Sequence, residues 1–437
     1  MQISVIGLGY LGAVHAASMA KLGHDVVGVD VDADRVDALA AGKAPFFEPG
    51  LDELLTEVTG TGRLTVSTDL ADVAAAQVHF VCVGTPQRTD GQAADLTAVD
   101  AAFSDLVEHL AHGAVVVGKS TVPVGTAQRL ADQMAAARPD ALLAWNPEFL
   151  REGFAVQDTL RPDRLVYGVA DGAAGERATA ALDGVYAALL ADGVPRIVAD
   201  YPTAELVKVA ANSFLATKIS FINAMAELCE AAGGDVARLA DAIGYDARIG
   251  RRFLNAGLGF GGGCLPKDIR AFRARAEELG AGDAVAFLGE VDAINTRRRA
   301  RMVDLAVEVL GGMVESAEVT VLGAAFKPDS DDVRDSPALD VAARLAELGA
   351  VVTVHDPQAI DNARAKQPHL HYERDLEAAL AGADALLVLT EWEQYRELDP
   401  ERAGTLVAQR TVLDGRNALS RSAWTAAGWQ YRALGRR

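Results

Sequence analysis

Cysteine is scarce: Cys82, Cys229 and Cys264 are the three in 437 residues, far apart and without a CxxC pair. That excludes a disulfide framework and a zinc knuckle, and it fits a reducing compartment. The eight histidines lack ligand spacing, so no metal is expected. No uninterrupted apolar run approaches the ~18 residues of a membrane span, and Met1 to Gly7 has no basic stretch ahead of an apolar one. The expectation is a cytoplasmic protein away from the membrane. Basic side chains are outnumbered, 41 against 61 acidic, for a net charge of −20. Such a field repels a phosphate backbone, so nucleic acid is not expected as a partner. Any phosphate-bearing ligand must be gripped locally, by helix N-termini and placed cations. Low-complexity tracts and short solenoid repeats are absent too.

What is present is ample core material. Half of the residues are hydrophobic and 23% are charged, a globular balance, and the length suits two or three domains of ~150 residues. The chain opens with an apolar run Ile3 to Ile6, a glycine cluster, a helical stretch Ala13 to Leu22, and a second apolar run Val26 to Val29 ending in Asp30. That order is a βαβ unit. Further apolar runs, Val78 to Val83, Ala114 to Val117 and Ala141 to Ala144, each close on turn residues with helical stretches between, which predicts a parallel, doubly wound sheet. From about Tyr201 the texture becomes helical, with one long helix over Thr203 to Ala232 stopped by Gly233-Gly234. A second α/β section starts at Val319 and continues through Val351 to Val354, Ala385 to Leu389 and Val412 to Asp414.

Gly7-Leu8-Gly9-Tyr10-Leu11-Gly12 follows the first strand and opens the first helix, with Asp30 eighteen residues beyond Gly12. Glycines there permit a tight turn, pyrophosphate approach and close helix packing, and a carboxylate at the second strand's end accepts the adenosine ribose hydroxyls. The pattern favours NAD over NADP, with Arg35 nearby leaving some room for a 2′-phosphate. Thr85-Pro86 and Ser120-Thr121 fall at strand C-termini, where open sheets bind ligands. Singly, each hydroxyl reads equally as a loop or helix cap.

The segment Gly257-Leu258-Gly259-Phe260-Gly261-Gly262-Gly263-Cys264-Leu265-Pro266-Lys267-Asp268 is richer in chemistry. Its glycines let backbone wrap a ligand, and Cys264 stands just ahead of a helix expected over Lys267 to Leu279. A helix N-terminus and a neighbouring lysine lower a thiol's pKa and prepare a nucleophile. Cys82 in a strand run and Cys229 on a helix read as inert core. Lys208 and Asn212, spaced i, i+4, share a helix face on which a cation and an amide donor can meet an oxyanion.

These elements, together with Ser120-Thr121-Val122-Pro123, Asn146-Pro147-Glu148-Phe149-Leu150-Arg151-Glu152-Gly153, Pro162-Asp163-Arg164 and Gly323-Ala324-Ala325-Phe326-Lys327-Pro328 with Asp331 to Pro337, occur in one order over nearly the whole chain. In that order they resemble the UDP-glucose/GDP-mannose dehydrogenases. The resemblance implies two Rossmann-like doubly wound parallel-sheet domains joined by a central helical domain. The divisions are an NAD-binding domain at 1–200, a helical and dimerising segment carrying the cysteine loop at 201–312, and a sugar-nucleotide domain at 313–437.

It also implies NAD-dependent four-electron oxidation of a C6 alcohol on a nucleotide sugar such as UDP-glucose, through thiohemiacetal and thioester on Cys264. Lys208 and Asn212 would stabilise oxyanions; Asp268, Thr121 and Glu148 would position or deprotonate water. Glu152, Lys267 and Arg334 would join Gly7, Gly9, Tyr10, Leu11, Gly12, Asp30, Arg35, Thr85, Pro86, Ser120 and Thr121 around the cofactor. Phe149, Leu150, Arg151, Glu152, Lys208, Asn212, Phe253, Leu254, Asn255, Gly257, Phe260, Gly261, Phe326, Lys327 and Arg416 would meet the sugar nucleotide, and Arg248 would reach the partner subunit of a homodimer. Position 263 is glycine where many relatives have serine, which should loosen the loop. Other nucleotide sugars, GDP-mannose or a UDP-N-acetylhexosamine, suit the same residues, as does a catalytically silent binder, although a silent relative need not keep Cys264, Lys208, Asn212 and Asp268 together.

Overall fold

The computed structural model describes residues 1–436. Its packing gathers the chain into two compact bodies, one of Met1–Ala211 with Arg270–Gly282, the other of Asn212–Ile269 with Asp283–Arg437. The segment 201–312 is therefore shared between the two.

The N-terminal body is built on eight strands, β1 (Gln2–Ile6), β2 (Asp25–Val29), β3 (Leu64–Ser67), β4 (Val78–Val81), β5 (Val115–Gly118), β6 (Leu142–Trp145), β7 (Leu165–Val169) and β8 (Arg196–Ala199), in the order β3-β2-β1-β4-β5-β6-β7-β8. Strands β4, β5 and β6 are buried at every residue, as continuous apolar runs in a sheet covered on both faces must be. One pairing departs from the all-parallel expectation: β7 runs antiparallel to β6. Between them lies only a six-residue helix, Ala155–Leu160. The rest of the connection from Trp145 to Leu165 is loop, so no helix long enough to carry the chain back along the sheet forms, and β7 starts from the end at which β6 stops.

The C-terminal body holds β9 (Glu318–Leu322), β10 (Val351–His355), β11 (His371–Tyr372), β12 (Ala385–Val388), β13 (Thr411–Asp414) and β14 (Gln430–Ala433), in the order β11-β10-β9-β12-β13-β14, with every pairing parallel. The long helix runs Tyr201–Ala232 and ends at Gly233, whose φ of +78° stops it. The helix after the glycine loop is Leu265–Glu278, two residues earlier than expected, with Pro266 in its first turn.

Candidate active site

In the N-terminal body, β1 delivers Gly7 at φ +86°, and its N–H reaches Val29 O at 2.8 Å. A Cβ on Gly12 would lie 1.8 Å from Gly7 O, so only glycine lets the first helix (Tyr10–Lys21) sit this close. A Cβ on Gly9 would meet nothing within 4 Å, and the helix behind it has no side-chain cap. Open space in front of uncapped N–H groups fits a pyrophosphate. Asp30 is buried; it accepts Leu8 N–H at 2.6 Å and Asp32 N–H at 3.0 Å. Arg35 Nη1 lies 2.9 Å from both its oxygens, so this carboxylate already carries a cation partner.

Tyr10 does more than line this groove. Its hydroxyl donates to Glu48, whose carboxylate accepts Gly153 N–H at 2.6 Å and Ala155 N–H at 2.7 Å. Burial, then Glu48, pushes the Tyr10 phenol far above its ordinary pKa. The pair ties the first helix to the segment after Glu152. Thr85 donates to Thr121 O at 2.8 Å and Ser120 to Val83 O at 2.6 Å, so these hydroxyls brace the ends of β4 and β5. Pro86 is exposed and Thr121 half-buried.

Beyond β6, Glu148 accepts Phe149 N–H at 2.6 Å and Leu150 N–H at 2.7 Å on Oε1, and Lys119 Nζ at 3.2 Å on Oε2. Burial opposes its charge, but Lys119, Lys208 and those N–H groups overcome it and hold the carboxyl below its usual value. Phe149 lies under Arg164 at 3.9 Å and Lys208 at 5.6 Å from the ring centroid. Leu150 and Leu11 pack against the core. Arg151 is exposed and holds Asp158 at 2.7 Å.

In the C-terminal body the glycine loop is fastened from several sides. Gly257 N–H reaches Asn223 Oδ1 at 2.9 Å, Leu258 N–H reaches Gly415 O at 3.0 Å, and Gly262 N–H reaches Arg334 O at 2.8 Å. Asn295 grips Phe260 with both ends of its amide, accepting its N–H at 2.7 Å and donating to its carbonyl at 2.9 Å. Arg416 donates to Gly259 O at 2.8 Å, Leu389 O at 2.8 Å and Phe326 O at 3.3 Å, so it braces this loop. Gly261 and Gly262 press against Asp335 O and the Phe326 ring. A Cβ on Gly263 would come 2.3 Å from the Arg334 guanidinium, the end of a 64% exposed side chain that can swing aside, so glycine is not sterically required there.

The loop ends at exposed Cys264, directly ahead of the helix, and Asp268 N–H reaches Cys264 O at 2.9 Å. Asp268, 2% exposed, accepts Asn212 Nδ2 at 2.7 Å and Lys267 Nζ at 2.7 Å. The cysteine thus stands one helical turn ahead of a buried carboxylate shared by an amide and a cation. Lys208 lies one turn before Asn212 on the long helix, within the N-terminal body, and is buried. Lys327 Nζ sits 5.5 Å over the Phe326 ring. Arg334 pairs with Asp332, and exposed Arg248 with Asp246. Phe253 takes a positive φ of +66° and is exposed, as is Asn255. Leu254 packs with Ile222 and Cys229 in a core cluster, so its side chain is not available to a ligand. Cys82 and Cys229 are buried, as their apolar surroundings in the sequence suggested.

Lys119, Asn295, Glu48 and Asn223 are singled out by no sequence motif. Only a lysine closing an apolar strand run hinted at Lys119. No helix among the described residues is long and apolar enough to cross a membrane, and no cluster of three or more His, Cys, Asp or Glu suited to a metal ion occurs among them.

Residues 1–190 match the NAD binding domain of the UDP-glucose/GDP-mannose dehydrogenase family, residues 202–297 its central domain and residues 320–421 its UDP binding domain. The chain belongs to this family. A UDP-glucose 6-dehydrogenase of Rhizobium meliloti (strain 1021) is 42% identical, with all of both chains covered. UDP-glucose 6-dehydrogenase TuaD of Bacillus subtilis (strain 168) is 40% identical over all of this chain and 93% of its own. Among solved structures, a UDP-glucose dehydrogenase from the archaeon Pyrobaculum islandicum superposes with a TM-score of 0.89 at 40% identity, covering 100% of this chain and 98% of that one. A UDP-D-ManNAc dehydrogenase from Pyrococcus horikoshii superposes with a TM-score of 0.86 at 27% identity, covering 100% and 99%. The family's NAD binding domain coincides with the body that carries the Gly7 to Gly12 cradle, and its UDP binding domain with the sheet of β9 to β13.

Proposed function

We propose that this dehydrogenase is a UDP-glucose 6-dehydrogenase, oxidising the C6 alcohol of UDP-glucose to the carboxylate of UDP-glucuronate. The observation that carries the reading is exposed Cys264 at the head of a helix, one turn ahead of an Asp268 held by Asn212 and Lys267. A two-electron alcohol dehydrogenase has no use for such a thiol. The full-length relatives near 40% identity that are named for this activity favour UDP-glucose over the sugar of the 27% identical neighbour.

Bound NAD supplies the hydride acceptor for both oxidations. The chain's residues do the rest. The first hydride and proton leave the alcohol as aldehyde; the Cys264 sulfur then adds to the carbonyl carbon and retains the aldehyde as a thiohemiacetal. Loss of the second hydride and a proton gives the thioester, and water breaks its C–S bond to release the acid and restore the thiol. Lys208 and Asn212, a cation and an amide one turn apart, would stabilise the oxyanions, and Glu148, Thr121 and Asp268 would position or deprotonate water.

The protein works as a homodimer in this reading. Phe214, Phe221 and Leu228 recur every seven residues on the long helix and are 68%, 49% and 59% exposed, an apolar stripe suited to a second copy. Arg248 extends from the same body into solvent, as a residue lent to a partner's site would. Three reduced cysteines fit the cytoplasm. The test is NADH formed from limiting UDP-glucose, UDP-N-acetylglucosamine and GDP-mannose, offered separately. Two NADH per UDP-glucose support the assignment; one removes the thioester route, and none with any sugar removes the activity.

A further inference from the structure

Lys119 follows β5, and its N–H still pairs with Val81 O at 3.0 Å. Its side chain is 5% exposed and lies 5.9 Å from the Phe80 ring centroid. Nζ donates to Asn146 Oδ1 at 3.0 Å and faces Glu148 Oε2 at 3.2 Å, so the lysine spans two side chains on either side of Pro147. Asn146 is itself fixed, accepting the Tyr186 hydroxyl at 2.7 Å and donating to Val166 O at 2.9 Å. With Phe149 and Leu150 N–H on Oε1, both oxygens of Glu148 are held while its side chain stays 18% exposed.

Within this body the titratable groups around the pair are Lys208, Tyr186, Cys82 and His15. Burial pushes the Tyr186 phenol and the Cys82 thiol up to about 12, and burial with Lys119 holds the His15 imidazole well below its ordinary value, so all three are neutral near pH 7. Burial works against the Lys119 charge, but Tyr186, Glu148 and Cys82 around it hold the lysine above its ordinary value. The charges left around Glu148 in this body are the ammonium groups of Lys119 and Lys208, with the Arg164 guanidinium over the same Phe149 ring as Lys208. Without Lys119, the balance of the Glu148 charge would fall to Lys208, which would be neutralised in turn.

We propose that Lys119 is a positioning residue for the dehydrogenase: from its buried seat it fixes the Glu148 carboxylate and balances its charge, leaving the Lys208 cation uncancelled for the substrate oxyanion. This rests on the reading of the reaction given above. The lysine touches no substrate and acts through Glu148.

The test compares thermal midpoints of the full-length wild type, Lys119→Met, Glu148→Gln and the double variant between about pH 5 and about pH 8, without ligand. A buried carboxylate deprived of its cation prefers its proton, so its folded pKa rises and stability falls as pH climbs through that value. The Lys119→Met midpoint therefore lies below wild type near pH 8 and approaches it near pH 5. In the Glu148→Gln background the same substitution produces no pH-dependent gap. In assays with UDP-glucose, Lys119→Met moves the acid limb of turnover up by roughly one to three pH units, with kcat affected more than KM, and Lys119→Arg restores most of it. A gap of equal size at every pH, or one that persists with Glu148→Gln, overturns the proposal. If Lys119→Met does not fold, Glu148→Gln and the double variant decide. Balance by Glu148 requires the double variant to melt at or above Glu148→Gln, and a lower midpoint overturns it. A wild type that forms no NADH refutes the activity alone, since the midpoints still judge the pairing.

Discussion

In both sheets the first strand is followed by a glycine at positive φ, Gly7 at +86° and Gly323 at +115°. Each sends its N–H to the end of the second strand, Val29 O and His355 O, both at 2.8 Å. Each second strand is then followed by an aspartate whose carboxylate turns back onto the first loop: Asp30 accepts Leu8 N–H, and Asp356 accepts Ala324 and Ala325 N–H at 2.7 and 3.0 Å. There the resemblance ends. Asp356 also takes Trp392 Nε1 and the N–H groups of Gln358 and Ala359, so its oxygens are spent on the fold. Asp30 carries fewer backbone bonds and an arginine that is 32% exposed. The first loop opens directly into a helix whose N-terminus is bare, whereas Lys327-Pro328 carries the second away, and its helix waits until Pro337. One βαβ opening thus leaves a bare helix end in one body and a loop tied down by its aspartate in the other.

The comparison is sharpest at the thiol, which belongs to the second body only. Cys264→Ser is expected to cut turnover to acid by about a thousandfold or more while leaving NAD affinity unchanged, checked by steady-state NADH formation and NAD titration. The aspartates should then separate stability from binding. Asp356→Ala strands several buried N–H groups and should cost on the order of 3 kcal/mol in denaturant unfolding with KM for NAD intact. Asp30→Ala should raise KM for NAD about tenfold with a smaller stability loss. Equal stability losses would erase the distinction. Within the first loop, Gly12→Ala must push Cβ against Gly7 O and should destabilise by roughly 3 kcal/mol, whereas Gly9→Ala meets open space and should leave the thermal midpoint in place while weakening NAD. Smallest is Arg35→Ala: its partly exposed pair should alter KM for NAD by no more than about twofold.

The parts legible in sequence are those encoded by neighbours. Strand, glycines, helix and Asp30 fall in one local order, and the glycines before Cys264 announce a wrapped loop whatever surrounds it. The long helix was legible from its pattern and its glycine stop. What local order cannot show is a partner brought in by tertiary packing. The antiparallel turn of β7 follows from a short helix that reads like any other. Asn295 looks like an ordinary helical asparagine until its amide is seen on both sides of Phe260. Arg416 was expected at the ligand, and its binding of three carbonyls becomes visible only when β13 is set beside the glycine loop. Lys119 pairs with a carboxylate on the neighbouring strand's loop, a contact set by sheet order.

This chain is held to carry one alcohol through two oxidations, the second of them on the Cys264 thiol. The measurement that tests it most directly is the NADH yield from limiting UDP-glucose, wild type beside Cys264→Ser. The account predicts two NADH per sugar for the wild type and loss of that yield in the variant; a single NADH per sugar, or two in both proteins, would contradict it.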